Sequence, residues 1–267
     1  MTLGRILKKL APSDVRNYVS GIQGRIGTLE AQLPAVTNLQ STITALEATL
    51  DTAIYSPRYV AADDVGFNSQ MQRKAIFTDL LEHFPFDNIV ETGTWTGNTT
   101  GYMAQKSRLP VFSGELNHRF HTIAGMRLVD FPGITLRNAD SRKFLSDLAE
   151  NPDLTGSFTF FYLDAHWYAD LPLAEELDLI ASRWSRFVVM VDDFQVPGDE
   201  GYGYDDYGAG KALTIEYIKP VIARRNLTAW FPAAPAESES GHKRGCVVIA
   251  PAGNLTEALA SIRSVRS

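Results

Sequence analysis

Short apolar runs ending on small or acidic residues, alternating with stretches of helical spacing, set the narrowest limit on how this chain can fold. Asn88 to Thr92, Val111 to Glu115, Ile134 to Asn138, Phe158 to Asp164 and Phe187 to Asp192 read as strands. Helical spacing fills Ser69 to His83 ahead of them, and Thr99 to Lys106, Ser141 to Ala149 and Leu173 to Ser182 between them. Such alternation pairs strands in parallel through right-handed crossovers. A further helix, about Ala212 to Arg225, leads to two last strands, Leu227 to Phe231 and Cys246 to Ala250. No crossover helix separates these two, so they form an antiparallel pair at the sheet edge. The expected class is α/β, a mostly parallel sheet with helices on both faces.

A different pattern precedes the sheet. Val19, Ile22, Ile26, Leu29, Leu33, Val36, Leu39, Ile43, Leu46 and Leu50 succeed one another in steps of three and four. One extra three-step between Val36 and Leu39 makes a stammer in a heptad-like seam. Pro34 removes a backbone donor beside it, so a kink or a break into two helices is expected there. Gly21, Gly24 and Gly27 weaken the first half. The seam suits a homo-oligomerisation stalk, or a pair of helices folded back on the α/β domain. The chain therefore divides into a helical, coiled-coil-like segment, 1–54, and a catalytic domain, 55–267, with Tyr55 to Gly66 as transition. Met1 to Pro12 places Arg5, Lys8 and Lys9 among leucines and Ile6, as in a helix that touches a membrane surface or ends in solvent.

The functional signal starts at Glu91-Thr92-Gly93-Thr94-Trp95-Thr96-Gly97-Asn98-Thr99, which comes after a strand and opens a helix. Gly93 and Gly97 let the backbone turn sharply and approach a ligand. Ligands of open α/β sheets bind at the carboxyl ends of the strands, where this loop lies. The Gly-x-Gly-x-x-Gly dinucleotide fingerprint is absent, and so is the Gly-Lys-Ser/Thr of a P-loop. Glu115 ends the next strand, where a carboxylate accepts ribose hydroxyls. Asp140 and Ser141 come after the third strand, placed to contact an adenine amino group or to cap the next helix.

On these residues the chain resembles the class I methyltransferase family, over roughly Phe86 to Pro251. The resemblance implies a Rossmann-like seven-stranded sheet with a final antiparallel strand, and S-adenosylmethionine as methyl donor. Glu91, Thr92, Gly93, Thr94, Trp95, Gly97, Thr99, Glu115, Asp140, Ser141 and Asp164 would then line the donor.

A second constellation closes the next strands: Tyr162-Leu163-Asp164-Ala165-His166-Trp167, then Val191-Asp192-Asp193-Phe194. Neighbouring parallel strands bring these ends together, and three packed carboxylates require a cation or protons. A hard ion such as Mg²⁺ accepts carboxylate oxygens. The arrangement is similar to that of metal-dependent O-methyltransferases of the catechol and macrolide-sugar types. That similarity implies Asp164, Asp192 and Asp193 as metal ligands. The ion would lower the pKa of an acceptor hydroxyl on a small molecule or sugar. His166, or Asp164, would take its proton. A metal-independent methyltransferase using His166 alone toward oxygen or nitrogen, and a non-catalytic coiled-coil scaffold, are the other readings. The glycine- and tyrosine-rich stretch Gly198 to Gly210 reads as a loop covering the acceptor.

Composition bounds the remaining classes. A net charge of -6 argues against a general nucleic-acid binder, which needs basic surface. The single cysteine, Cys246, forms no internal disulfide and fits a reducing, cytoplasmic setting. No apolar run is long enough for a spanning helix, and the N-terminal stretch lacks a signal-peptide h-region.

Overall fold

A computed structural model describes the backbone of residues 12–54, 65–166 and 170–267. The basic stretch at the N-terminus, most of the Tyr55-to-Gly66 transition and Trp167 lie outside the described residues. The chain divides into two units, Met1–Tyr55 and Ser56–Ser267.

Among the described residues of the first unit, α1 (Pro12–Ile54) runs through Pro34, so of the kink or break expected there the break into two helices is not seen. Pro34 costs the helix one backbone hydrogen bond, and the turn before it is exposed to solvent. Along the helix Val19, Ile22, Ile26, Leu29, Leu33, Val36, Leu39 and Ile43 are exposed.

The second unit carries α2 (Met71–His83), β1 (Asn88–Thr92), α3 (Asn98–Ser107), β2 (Val111–Glu115), α4 (His118–Arg127) and β3 (Ile134–Asn138). Next come α5 (Ser141–Leu148), α6 (Pro152–Thr155), β4 (Phe158–Leu163), α7 (Leu173–Arg183), β5 (Arg186–Val191), α8 (Ile215–Arg225), β6 (Leu227–Pro232), β7 (Val247–Pro251), α9 (Asn254–Ala260) and β8 (Val265–Arg266). The sheet order is β3-β2-β1-β4-β5-β7-β6-β8. The first five strands pair in parallel, and β7 runs antiparallel to both β5 and β6. The expected antiparallel pair is present. The strand number is not seven but eight, because β8 adds two residues beside β6. Two residues show no periodicity in sequence, yet they cover an edge that would otherwise present unpaired backbone groups.

Strands β4 and β5 read as continuous apolar runs because both faces are covered. Along β4, Phe161 and Leu163 enter one core with Leu145, Leu177 and Val221, while Phe160 and Tyr162 enter the other with Phe77 and Met103. The register aligns the strand ends: Thr92 sits beside both Gly114 and Leu163, and Leu163 beside Val191. The residue after each of these ends therefore emerges at one level, at the carboxyl edge of the sheet. Among the described residues no helix is long and apolar enough to cross a membrane.

Candidate active site

The loop after β1 is built around Gly93 (φ 88°) and Gly97 (φ 80°). A Cβ on Gly93 would lie 2.3 Å from the Asp164 carbonyl oxygen, so only glycine lets the two strand ends touch. Beneath the loop, Glu91 is buried and its Oε2 accepts from the hydroxyls of Thr100 and Ser113, each at 2.5 Å. Burial pushes the Glu91 carboxyl up to about 7. Thr94 meets the Ser113 hydroxyl at 2.5 Å, and Thr99 accepts from the Phe67 amide at 3.1 Å. Glu115 holds the loop's far side, its two oxygens accepting from the amides of Trp95 and Asn117, each at 2.7 Å. Those bonds leave lone pairs on a carboxylate at the tip of β2, and Trp95 is 43% exposed beside it.

After β3, Asp140 is the N-cap of α5, accepting from the Arg142 amide at 3.0 Å and from the Arg142 guanidinium at 2.7 Å. The capping role open to it in the sequence is therefore filled. Ser141 is buried and lies, with Thr92, at the carboxyl of Glu176, which burial pushes up to about 7.

The carboxylates after β4 and β5 separate into two groups. Asp192 is fully buried and turned inward: it pairs with the Arg73 guanidinium and accepts from Tyr162 Oη at 2.5 Å and the Asp193 amide at 2.6 Å. Arg73 also donates to the carbonyls of Arg244 and Gly245, at 2.6 and 2.9 Å. Asp193 adopts a left-handed backbone (φ 51°), which swings its side chain the other way. It converges there with Asp164 and His166, one ligand atom from each lying within 4.8 Å of the others. The three residues brought together are thus Asp164, His166 and Asp193, with Asp192 engaged elsewhere.

His166 is buried, and its Nε2 has no hydrogen-bond partner among the described residues. That atom faces Asp164 Oδ1 at 3.8 Å and Asp205 Oδ2 at 4.0 Å. Burial lowers its pKa, which favours the neutral imidazole. The surrounding protein, and then the charge of Asp193, push the Asp164 carboxyl well above the usual carboxylate range. Arg244 spans the cluster, its Nε donating to Asp193 at 2.8 Å and its other arm pairing with Asp205.

Asp205 belongs to the Gly198-to-Gly210 segment, which is stitched down rather than loose. Its amide donates to the Asp193 carbonyl at 2.9 Å, and Gly203 exchanges backbone bonds of 2.9 and 2.8 Å with Lys243 and Gly245. Tyr207 donates to the His166 carbonyl at 3.3 Å.

Sequence reasoning does not mark Arg73, Tyr162, Glu176, Asp205 or Arg244 as site residues. Arg73 does leave a trace: with Ile76, Phe77 and Leu80 it completes an i, i+3, i+4, i+7 stripe, and a cation in an apolar stripe needs a buried acid. Asp205 and Arg244 leave none, because their meeting depends on two long loops.

No protein-family model matches the chain, and no curated protein matches it. Solved structures do. One is an O-methyltransferase from Bacillus cereus in complex with SAH, 16% identical, TM-score 0.52, with 78% of this chain and 89% of that chain covered. Another is cofactor-bound Rv0187 from MTB, 17% identical, TM-score 0.52, with 79% and 90% covered. At such identity the likeness is one of fold alone.

Proposed function

We propose that this chain is an S-adenosylmethionine-dependent methyltransferase that methylates a hydroxyl of a small molecule or sugar with the help of a divalent cation. One observation carries the reading: the Gly93-to-Gly97 loop and the Asp164, His166 and Asp193 cluster abut at the carboxyl edge of the sheet, joined through Gly93 and Asp164. Glu115 and the exposed Trp95 are the residues to hold the ribose and adenine side of the donor. Asp140 contributes through the α5 N-terminus it caps, and Ser141 through its place beside Glu176. The donor supplies a methyl group already activated on a sulfonium, so the protein's task is chiefly alignment. Asp164 and Asp193 are the carboxylates to hold the cation, and the buried Nε2 of His166, without a hydrogen-bond partner among the described residues, is a further donor atom beside them. Such an ion lowers the pKa of a coordinated hydroxyl. Asp164, with its raised pKa, and neutral His166 are the two groups able to take the acceptor's proton.

One structural detail favours a second reading without metal. Arg244 already bridges Asp193 and Asp205, so a built-in cation partly neutralises the cluster. Calorimetry with S-adenosylmethionine tests the shared premise: absence of binding at millimolar donor removes both readings. Asp193→Asn and chelation then separate them. With metal assistance the variant lowers turnover by about a hundredfold or more, and divalent ions restore a chelator-treated wild type.

We also infer that α1 joins copies of the chain through its seam, acting as a stalk for a catalytic domain in the cytoplasm. An exposed row of apolar side chains at heptad-like spacing supports self-association.

A further inference from the structure

We propose that His166 is a ligand of the cation and not the proton acceptor, so that the site is Asp164, His166 and Asp193 and prefers a first-row transition ion such as Mn²⁺ to Mg²⁺. The inference rests on the cation-assisted reading above and changes both its ligand set and its ion.

Three features of the chain lead there. Asp192 is not available: Arg73, Tyr162 and its neighbour's amide already occupy its carboxylate at the bottom of the core. A set built from the two tandem acids would strand the Arg73 guanidinium without its counter-charge. His166 Nε2 is buried, lacks a hydrogen bond among the described residues and faces two carboxylates, Asp164 at 3.8 Å and Asp205 at 4.0 Å. A proton acceptor for an incoming substrate needs an open path, whereas a metal ligand needs only its partners. Finally, Asp193 has a left-handed backbone, and its carboxylate joins Asp164 and His166 in a group whose ligand atoms lie within 4.8 Å of one another, whereas Asp192 pairs with Arg73. A left-handed conformation is unfavourable at a residue other than glycine, and here it accompanies the turn of Asp193 into the group with Asp164 and His166.

The chemistry of the donor set selects the ion. Mg²⁺ prefers oxygen and gives up its waters reluctantly, while imidazole nitrogen is a good ligand for first-row transition ions. Ligand bonds of about 2.0–2.2 Å bring cis ligands roughly 3 Å apart, within a small side-chain adjustment of the separations seen here. Arg244 donates to the Asp193 carboxylate at 2.8 Å and makes no hydrogen bond to Nε2.

The test is pulsed electron paramagnetic resonance on the full chain, stripped with chelator and titrated with Mn²⁺. The expected result is one bound Mn²⁺ with the ¹⁴N modulation of a coordinated imidazole. His166→Gln should abolish that modulation and weaken Mn²⁺ binding at least about tenfold, and a hundredfold excess of Mg²⁺ should leave the wild-type signal in place. Bound Mn²⁺ with no ¹⁴N modulation in the wild type overturns the proposal whatever the variant does. So does ready displacement by Mg²⁺, or no binding at millimolar Mn²⁺. Donor calorimetry on the same samples keeps the two readings apart. A nitrogen-coordinated ion without donor binding leaves the metal site standing and removes the methyltransferase.

Discussion

Arg73 illustrates how much a single residue can fix. Its guanidinium satisfies Asp192 and two carbonyls of the segment that carries Arg244, so one side chain from α2 ties together the end of β5 and the loop before β7. Removing one member of such a pair leaves the other charge buried and uncompensated. Arg73→Ala should therefore lower stability by about 3–5 kcal/mol in urea denaturation, and the double variant Arg73→Met, Asp192→Leu should recover much of the loss. Two other buried acids make stability depend on pH. Glu91 and Glu176 are each raised from 4.5 to about 7 by burial. The folded chain holds these protons when the unfolded chain has released them, so stability falls as pH rises from about 4.5 to 7. Each carboxyl contributes up to about 3 kcal/mol of that fall. Glu176→Gln should flatten its share of the slope between pH 5 and 8, measured by chemical denaturation in the presence of chelator. A slope unchanged by both Glu91→Gln and Glu176→Gln would show these groups to be ionised at neutral pH.

At the scale of elements, the site is a product of where strands stop. Parallel register places Gly93, Asp164 and Asp192 one residue beyond aligned strand ends, with the amides of Asp164 and Asp192 donating to Thr92 and Leu163 at 2.9 and 3.0 Å. Gly93 is the tightest joint, because its positive φ and the Asp164 carbonyl both exclude a side chain. Gly93→Ala should lower stability by more than about 1 kcal/mol and weaken donor binding, read by thermal melting and calorimetry. Helix α2 is set by a 3-10 turn, Gly66–Ser69, in which Phe67, Asn68 and Ser69 have φ of 50°, 55° and 62°. Three successive left-handed residues are costly, and the burial of Phe67 against Tyr162, at 5.1 Å between ring centroids, offsets part of that. This turn presents Gln70 and Arg73 to the backbone of Arg244, whose side chain then reaches the acids.

For the whole molecule, the deciding quantity is how many chains act together. Leu29, Leu33 and Leu39 are 66%, 66% and 62% exposed along α1. On the self-association proposed for α1, each leucine buried against a copy contributes about 1.5–3 kcal/mol. The full chain should sediment as an oligomer, and Leu29→Asp with Leu39→Asp should return it to a monomer with donor binding intact. A monomeric wild type at tens of micromolar would remove the stalk reading.

The alternation of apolar runs and helical spacing determined the α/β class, seven of the eight strands and the glycine loop, since these depend on local pattern and on which residues tolerate a sharp turn. Helix α4 gave no comparable signal, because its sequence His118 to Arg127 interleaves polar and apolar residues without a clean stripe. The division of labour between Asp192 and Asp193 was beyond local pattern altogether. Two adjacent aspartates look alike in a sequence, and only packing decides which one meets a buried arginine and which one turns outward. Asp205, Arg244 and the bare nitrogen of His166 belong to the same category: their meaning comes from contacts across more than 30 residues of chain, made when two long loops close over the strand ends. Sequence could therefore name the edge of the sheet where chemistry would occur. Tertiary structure decided which side chains are free to perform it, because burial and counter-charge are properties of the folded neighbourhood and not of the residue.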